Sequence, residues 1–393
     1  MPVEPFSVDP DIARAWTLPG RAYADPAVHD LARERVFRRA WHLVADAESL
    51  RVPGQCLPVT LLEGCLDEPL LLTRGRDDRL HCLSNVCTHR GTILRESPGV
   101  EKSLVCRYHG RRFDLDGTFR HMPEFEGAAG FPSEKDHLPK VAWGTLDEAL
   151  VFASLAPAMP LDELLAPIRA RPPGASLREL RFDASRSRDY LVRANWALYV
   201  ENYLEGFHIP FVHAALNEAI DYGEYATELF RYAVLQLGVA RPGEAAFDPP
   251  AGSADGGRRV AAYYWWFFPN LMLNFYPWGL SVNVVKPLAH DRTRVSFLSY
   301  VGDATKLDRG AGAGLDRVER EDEAVVEAVQ RGVRSSLYDR GRYSPAREQG
   351  VHHFHRLLAE FLFERDAPEP RGGGARGRDV GSPADAVRRA DGR

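Results

Sequence analysis

Two short segments of the chain each carry one cysteine and one histidine: Cys87 with His89, and Cys106 with His109, residues 90 to 105 lying between them. Thiolate and imidazole ligands at this spacing require two tight loops that face each other across a metal centre. The rest of that region must therefore fold into a small rigid support. Two centres suit the set. Tetrahedral zinc takes Cys2His2, and a two-iron, two-sulfide cluster takes two cysteines on one iron and two histidines on the other. Zinc fingers pair like with like on each arm. Here each arm holds one of each, as needed when each loop must reach both irons, and the pattern favours the cluster over structural zinc. Gly91 and Gly110 follow the ligands closely and let backbone amides approach sulfide.

The run from Cys87 to Leu94 and the run from Cys106 to Gly117 together resemble the Rieske domain of ring-hydroxylating and related oxygenases. One departure is Arg111, where that family usually has an aromatic residue after the His-Gly pair.

A chain of 393 residues is long enough for two domains with buried cores. A formal net charge of −5 gives no reason to expect nucleic acid or a membrane surface as partner. The longest apolar runs, such as Tyr263 to Leu273, are too short to span a bilayer. The N-terminus lacks the basic and apolar regions of a signal peptide. Of five cysteines, Cys56, Cys65 and Cys82 read as buried small hydrophobes in a reducing cytoplasm.

Composition divides the chain into four parts. Residues 1–39 form a helical segment expected to pack on the catalytic domain. Residues 40–155 hold alternating apolar segments punctuated by Gly and Asp turns, which predicts a small antiparallel β domain carrying the cluster. Residues 156–365 mix helices and strands, the clearest strands being Tyr263–Phe268, Leu280–Val285 and Arg294–Tyr300. Residues 366–393, rich in Gly, Arg and Asp, are expected to be disordered.

A second constellation lies between Asn195 and His213. Trp196, Val200, Tyr203 and Phe207 recur at helical spacing and predict a packed face, with Glu201, Glu205 and His208 on another stripe. Pro210 is expected to break the helix and turn His213 back towards His208. Two imidazoles from one segment suit Fe(II) with open positions if a carboxylate completes the triad. The helix from Leu315 supplies candidates. Its apolar stripe is read as Val318, Val325, Val326, Val329 and Val333, with Asp322 on the stripe, Glu319 at its edge, Glu321 and Glu323 pointing away and Glu327 solvated. A carboxylate on an apolar face needs a partner such as a metal, so Asp322 is the leading third ligand and Glu319 the runner-up.

These pieces resemble the α subunits of Rieske non-heme iron oxygenases over nearly the whole chain to about residue 362. The resemblance implies an α+β architecture: a small antiparallel Rieske domain plus a helix-grip domain, an antiparallel sheet with helices, whose iron sits on His208, His213 and Asp322. It implies that Glu205 bridges His208 to a cluster histidine, His109, of a neighbouring subunit. It also implies a homotrimer supplied with electrons by a ferredoxin or flavin reductase and acting with O2 on a small organic substrate. A glutamate at position 205, together with the wording around Gln330, Gly341 and Gly350, looks like the choline, glycine-betaine and carnitine monooxygenase side of the family; His352, His353 and His355 there are not expected to be ligands.

The aromatic run from Tyr263 to Trp278 bears on the substrate. Strand alternation sends Tyr264, Trp266 and Phe268 to one face, where they could line a cavity and attract a quaternary ammonium group by cation–π contact, stack on an aromatic ring, or simply fill a core, the favoured reading for any single member. Arg90, Lys102, Arg107, Arg111 and Arg112 cluster near the cluster ligands; ordinary solvated charge is the favoured reading, and a surface for an acidic ferredoxin the alternative. Three readings stand: a monooxygenase hydroxylating or N-dealkylating a small quaternary ammonium substrate, an aromatic-ring hydroxylating dioxygenase, and an electron carrier or zinc-stabilised module without oxygen chemistry.

Overall fold

The computed structural model describes residues 3 to 172 and 176 to 363; the tail expected over 366–393 lies outside the described residues. The N-terminal segment contains α1 (Arg21–Ala24) and α2 (Pro26–Arg35). Asp25 starts α2 by accepting a hydrogen bond from the Ala27 amide, with Pro26 at the first helical position, where no amide is needed. The segment packs through Leu18, Tyr23, Val36 and Phe37 into the same apolar core as Trp196 and Phe354, far along the chain.

The turn-rich region folds into short strands: β1 (His42–Asp46), β2 (Gln55–Leu61), β3 (Glu68–Arg74), β4 (Leu80–Ser84), β5 (Gly99–Val100), β6 (Leu104–Val105), β7 (Arg112–Phe113), β8 (Phe119–His121), β9 (Ala142–Leu146) and β10 (Leu150–Ser154). They pair as three antiparallel sheets, in the orders β4-β3-β2-β5, β6-β7-β8 and β1-β10-β9. Leu71, Leu83, Leu104, Phe113, Leu115 and Leu138 make one small core, and Cys87 and Cys106 are part of it. All five cysteines are free and buried.

The second half is built on a seven-stranded antiparallel sheet in the order β11-β17-β16-β15-β14-β13-β12. Its strands are β11 (Arg181–Val192), β12 (Ala226–Phe230), β13 (Ala233–Val239), β14 (Val260–Phe267), β15 (Leu271–Tyr276), β16 (Gly279–Ala289) and β17 (Arg292–Val301). The helices are α3 (Leu161–Ala170), α4 (Trp196–Tyr203), α5 (Ile209–Val212), α6 (Ala214–Ala219), α7 (Leu315–Gly332) and α8 (Gln349–Phe363). The central strands are buried on both faces, which is why β14 and β15 read as nearly continuous apolar runs. One polar row interrupts them. Register lines up Gln236, Tyr264, Asn274, Ser281 and Ser299 across five strands. The Tyr203 hydroxyl donates to Asn274 Oδ1 at 2.6 Å, and Gln236 Nε2 donates to the Tyr203 carbonyl at 2.6 Å. This row fixes the C-terminal end of α4 over the sheet.

Helix α7 is rotated from the stripe expected of it. Its buried face carries Glu319, Val326, Gln330 and Val333, while Val329 is 42 % exposed. The two polar members are buried because each has a partner, Glu319 the Tyr199 hydroxyl at 2.7 Å and Gln330 the Asn195 amide at 2.7 Å, while the half-buried Asp322 accepts from Asn202. Glu327, expected in solvent, accepts the Arg193 amide at 2.9 Å. Among the described residues no helix is long and apolar enough to cross a membrane.

Candidate metal centres

Asn195 begins α4 by accepting a hydrogen bond from the Ala197 amide at 2.9 Å. The helix stops at Tyr203, earlier than Pro210 suggested, and Phe207 is consequently outside it and exposed. A tight turn follows at Gly206, where an added Cβ would lie 2.7 Å from the Tyr225 ring. Pro210 then occupies the first turn of the short helix α5, with His208 before it and His213 after it. The proline thus starts a helix instead of breaking one. Glu201 and Glu205 do not share a role: Glu201 pairs with buried His355 at 2.9 Å, and Glu205 turns to His208.

His208, His213 and Asp322 converge. His208 Nε2 lies 3.1 Å from His213 Nε2, and Asp322 Oδ1 lies 3.0 Å from His213 Nε2 and 3.4 Å from His208 Nε2. Among the described residues this is the group of His, Cys, Asp and Glu side chains whose ligand atoms fall within 4.8 Å of one another. The atoms facing away are held too. Glu205 Oε1 meets His208 Nδ1 at 2.6 Å while Oε2 accepts the His208 amide at 3.0 Å. Glu321 Oε2 meets His213 Nδ1 at 2.8 Å, and Asn202 Nδ2 donates to Asp322 Oδ1 at 2.6 Å. Glu321, expected to point away, therefore straddles the His213 ring with Asp322, one carboxylate at each nitrogen. Glu319, the alternative third ligand, lies elsewhere, bonded to Tyr199.

Charge in this site is concentrated. Burial works against the His208 imidazolium, but the bonds and charges of Asp322 and Glu205 outweigh it and raise the group to about 9. Burial pushes the Asp322 carboxyl up, yet His208 and His213 hold it below the usual range. Three carboxylates around two imidazoles form a net anionic cavity suited to a divalent cation. Two ring nitrogens and one carboxylate, each oriented by a further hydrogen bond, are the donor set of a facial-triad ferrous site.

The Cys/His loops have matching geometry. The Cys87 amide donates to the Thr92 carbonyl at 2.8 Å and the Gly91 amide to the Cys87 carbonyl at 3.0 Å; the Cys106 amide donates to Arg111 at 2.8 Å and the Gly110 amide to Cys106 at 3.0 Å. Gly91 and Gly110 have φ of +70° and +73°, conformations that favour glycine. Both cysteines lie in the same small domain core. The imidazoles of His89 and His109 lie 4.8 Å apart between ring centres, with His109 exposed. Sulfur inside and nitrogen outside suits a two-iron cluster. Of the five basic residues near these loops, Arg90, Lys102, Arg107 and Arg112 are exposed, whereas Arg111 is buried and offers no surface charge to a partner.

The three aromatic residues expected on one face have different surroundings. Tyr264 lies with Tyr225, Tyr276 and Trp278 in a row of rings 5.4 to 6.5 Å apart, and Tyr225 abuts the ligand turn at Gly206. Trp266 and Phe268 are not part of that row. Trp266 packs on Phe354 at 5.5 Å and Phe268 on Phe361 at 4.6 Å, within the core under α8. Tyr225 escaped the sequence reading because it lies outside the aromatic run and only the turn at Gly206 and the fold bring it beside Tyr264.

Comparison with known proteins accords with this geometry. Residues 40–132 match the model of the Rieske [2Fe-2S] domain, and residues 177–364 match that of the ring hydroxylating alpha subunit (catalytic domain). The chloroplastic choline monooxygenase of Arabidopsis thaliana is 31 % identical over 369 residues, covering 89 % of this chain and 84 % of that protein. The carnitine monooxygenase oxygenase subunit of Escherichia coli K12 is 30 % identical, covering 91 % and 96 %. Among solved structures, a quaternary ammonium Rieske monooxygenase in complex with L-carnitine has a TM-score of 0.72 at 22 % identity, covering 92 % of this chain and all of that one. Naphthalene 1,2-dioxygenase with indole bound has a TM-score of 0.66 at 17 % identity, covering 88 % and 92 %. These last two likenesses concern the fold.

Proposed function

The chain belongs to the Rieske non-heme iron oxygenase α subunits, and we propose that it is the oxygenase component of a monooxygenase acting on a small quaternary ammonium compound. As a member of that family it is an oxidoreductase whose cofactors are a [2Fe–2S] cluster and a mononuclear iron. It takes its electrons from a reductase or ferredoxin.

In our reading Cys87 and Cys106 hold one iron of the cluster and His89 and His109 the other, while His208, His213 and Asp322 hold the mononuclear iron. The cluster supplies electrons one at a time, and the mononuclear iron supplies the activation of O2 for insertion into a C–H bond. The work of the protein is orientation. Glu205 and Glu321 face the Nδ1 atoms of His208 and His213, which fixes the tautomer that presents Nε2 to the iron. Asn202 holds Asp322 from the side of α4. Glu205, locked at the surface end of this turn, is the group an adjacent protomer's His109 would meet.

The observation that carries the substrate class is the row Tyr225, Tyr264, Tyr276 and Trp278, which begins at the ligand turn. Aromatic faces attract a cation that cannot donate hydrogen bonds, by about 0.5–2 kcal/mol per good contact. The names of the choline and carnitine relatives point the same way, whereas likeness to the aromatic dioxygenase is confined to fold.

We further propose a cytoplasmic homotrimer. Free, buried cysteines suit a reducing compartment. Among the described residues no hydrogen bond, ion pair or ring contact joins the loops at 87–112 to residues 196–213, so transfer between chains is the economical route. The test is turnover of choline, glycine betaine and carnitine with a surrogate reductase under 18O2. Label in a hydroxylated product, or release of an N-dealkylated amine, is expected. Doubly labelled diols from arenes, with no turnover of any quaternary amine, would overturn the proposal.

A further inference from the structure

Arg111 is 1 % exposed and lies directly behind the cluster loops. Its guanidinium carbon sits 4.7 Å from the ring centre of Phe119, 5.5 Å from that of Phe131 and 5.6 Å from that of Phe113, a cage of three aromatic faces. Nη2 donates to Asp136 Oδ1 at 2.6 Å and to the Asp136 carbonyl at 3.1 Å, while Nε is buried without a partner. Both loops end on this pair. The Arg111 carbonyl accepts from the Cys106 amide at 2.8 Å, and the Asp136 carbonyl accepts from the Thr88 hydroxyl at 2.9 Å. Asp136 is itself fixed by the Ser133 amide and hydroxyl at 2.6 and 2.9 Å.

A cation in such a place does not swing into solvent, and water does not screen it. An aromatic side chain, usual here in the family, would fill the same cage without charge. The charge is therefore a property of this chain. We propose that Arg111 acts as a fixed positive charge that raises the reduction potential of the cluster held by Cys87, His89, Cys106 and His109. One-electron reduction adds one negative charge to the cluster, and a buried cation on a residue hydrogen-bonded into the Cys106 loop, and paired with an aspartate bonded to the Cys87 loop, favours that form over the oxidised one. Asp136 opposes this field in part, so the two residues have opposite effects on the couple.

The inference rests on the cluster assignment above, and the test separates the two. Redox titration of the purified holoenzyme, followed by the EPR signal of the reduced cluster, gives the midpoint potential, and acid-labile sulfide reports loading. For Arg111→Gln the reduced-to-oxidised ratio at a given potential should fall about tenfold, a downward shift of about 59 mV for a one-electron couple. Arg111→Lys, which keeps the charge, should stay within about threefold of the parent, and Asp136→Asn should shift the potential upward. A merely structural staple would move Arg111→Gln and Asp136→Asn in the same direction, or move neither, and either result overturns the proposal. If Arg111→Gln does not retain its cluster, Asp136→Asn decides: a rise supports the proposal, and no change or a fall overturns it. Absence of sulfide from the parent protein would instead defeat the cluster assignment.

Discussion

At His213 two carboxylates take one imidazole from opposite sides, Asp322 at Nε2 and Glu321 at Nδ1. The two acids are adjacent in sequence and both bonded to one ring, yet their replacement should have different results. Asp322→Asn removes a ligand and should abolish binding of the mononuclear iron while leaving the visible spectrum of the cluster unchanged. Glu321→Gln keeps all three ligands and loses only the charge that orients one of them, so iron should still bind, about 10- to 100-fold more weakly. Iron titration of the two variants, with the cluster spectrum as internal control, distinguishes these roles. Equal losses would mean that both acids are ligands.

At the level of elements, helix α7 shows how far the sequence could be read. The helix itself, and Asp322 as its inward acid, were legible from spacing. Its rotation was not, because apolar periodicity presumes that the buried face is apolar. Glu319 and Gln330 are buried on the strength of Tyr199 and the Asn195 amide, partners that exist only once α4 is packed beside them. Val326→Ala should therefore cost about 2 kcal/mol in urea unfolding and Val329→Ala, on the exposed side, less than about 0.5 kcal/mol; the reverse order would contradict the observed rotation. The loops were legible for the opposite reason. Cys87, His89, Cys106 and His109 act through local turns whose geometry the intervening residues largely dictate. Which of Tyr264, Trp266 and Phe268 fill the core stayed open in the sequence because alternation tells which residues share a face, and α8 alone tells what covers it.

Strand β1 adds a pH dependence. His42 opens it, buried, with Nε2 donating to the Phe37 carbonyl at 2.7 Å. Burial lowers its imidazolium to about 4, despite the help of the Phe37 carbonyl and Asn270. The unfolded chain, with an ordinary histidine near 6.5, binds the proton more readily. Stability from this group is thus complete above about pH 6.5 and falls as pH drops towards about 4, by at most about 3 kcal/mol. His42→Gln should flatten that part of the acid limb in unfolding measured between about pH 7 and about pH 4.5. An unchanged slope would mean that His42 is not buried as a neutral ring.

Across the whole molecule, the cluster loops and the iron triad lie on separate domains, and each has exposed aromatic side chains beside it. Tyr108 is exposed next to His109, and Phe207 and Phe211, the latter 82 % exposed, flank His208. A head-to-tail ring would cover both patches and set an exposed His109 against the Glu205 turn of the next protomer. The central claim is that electrons enter at one protomer's cluster and are used at another protomer's iron. The most direct measurement pairs two inactive chains: Cys106→Ser, lacking a cluster, and His213→Ala, lacking the mononuclear iron, co-expressed with different tags and purified through both. The account predicts that neither variant alone turns over a quaternary amine and that the doubly tagged mixed oligomer does. Mixed oligomers as inactive as their parents would contradict it.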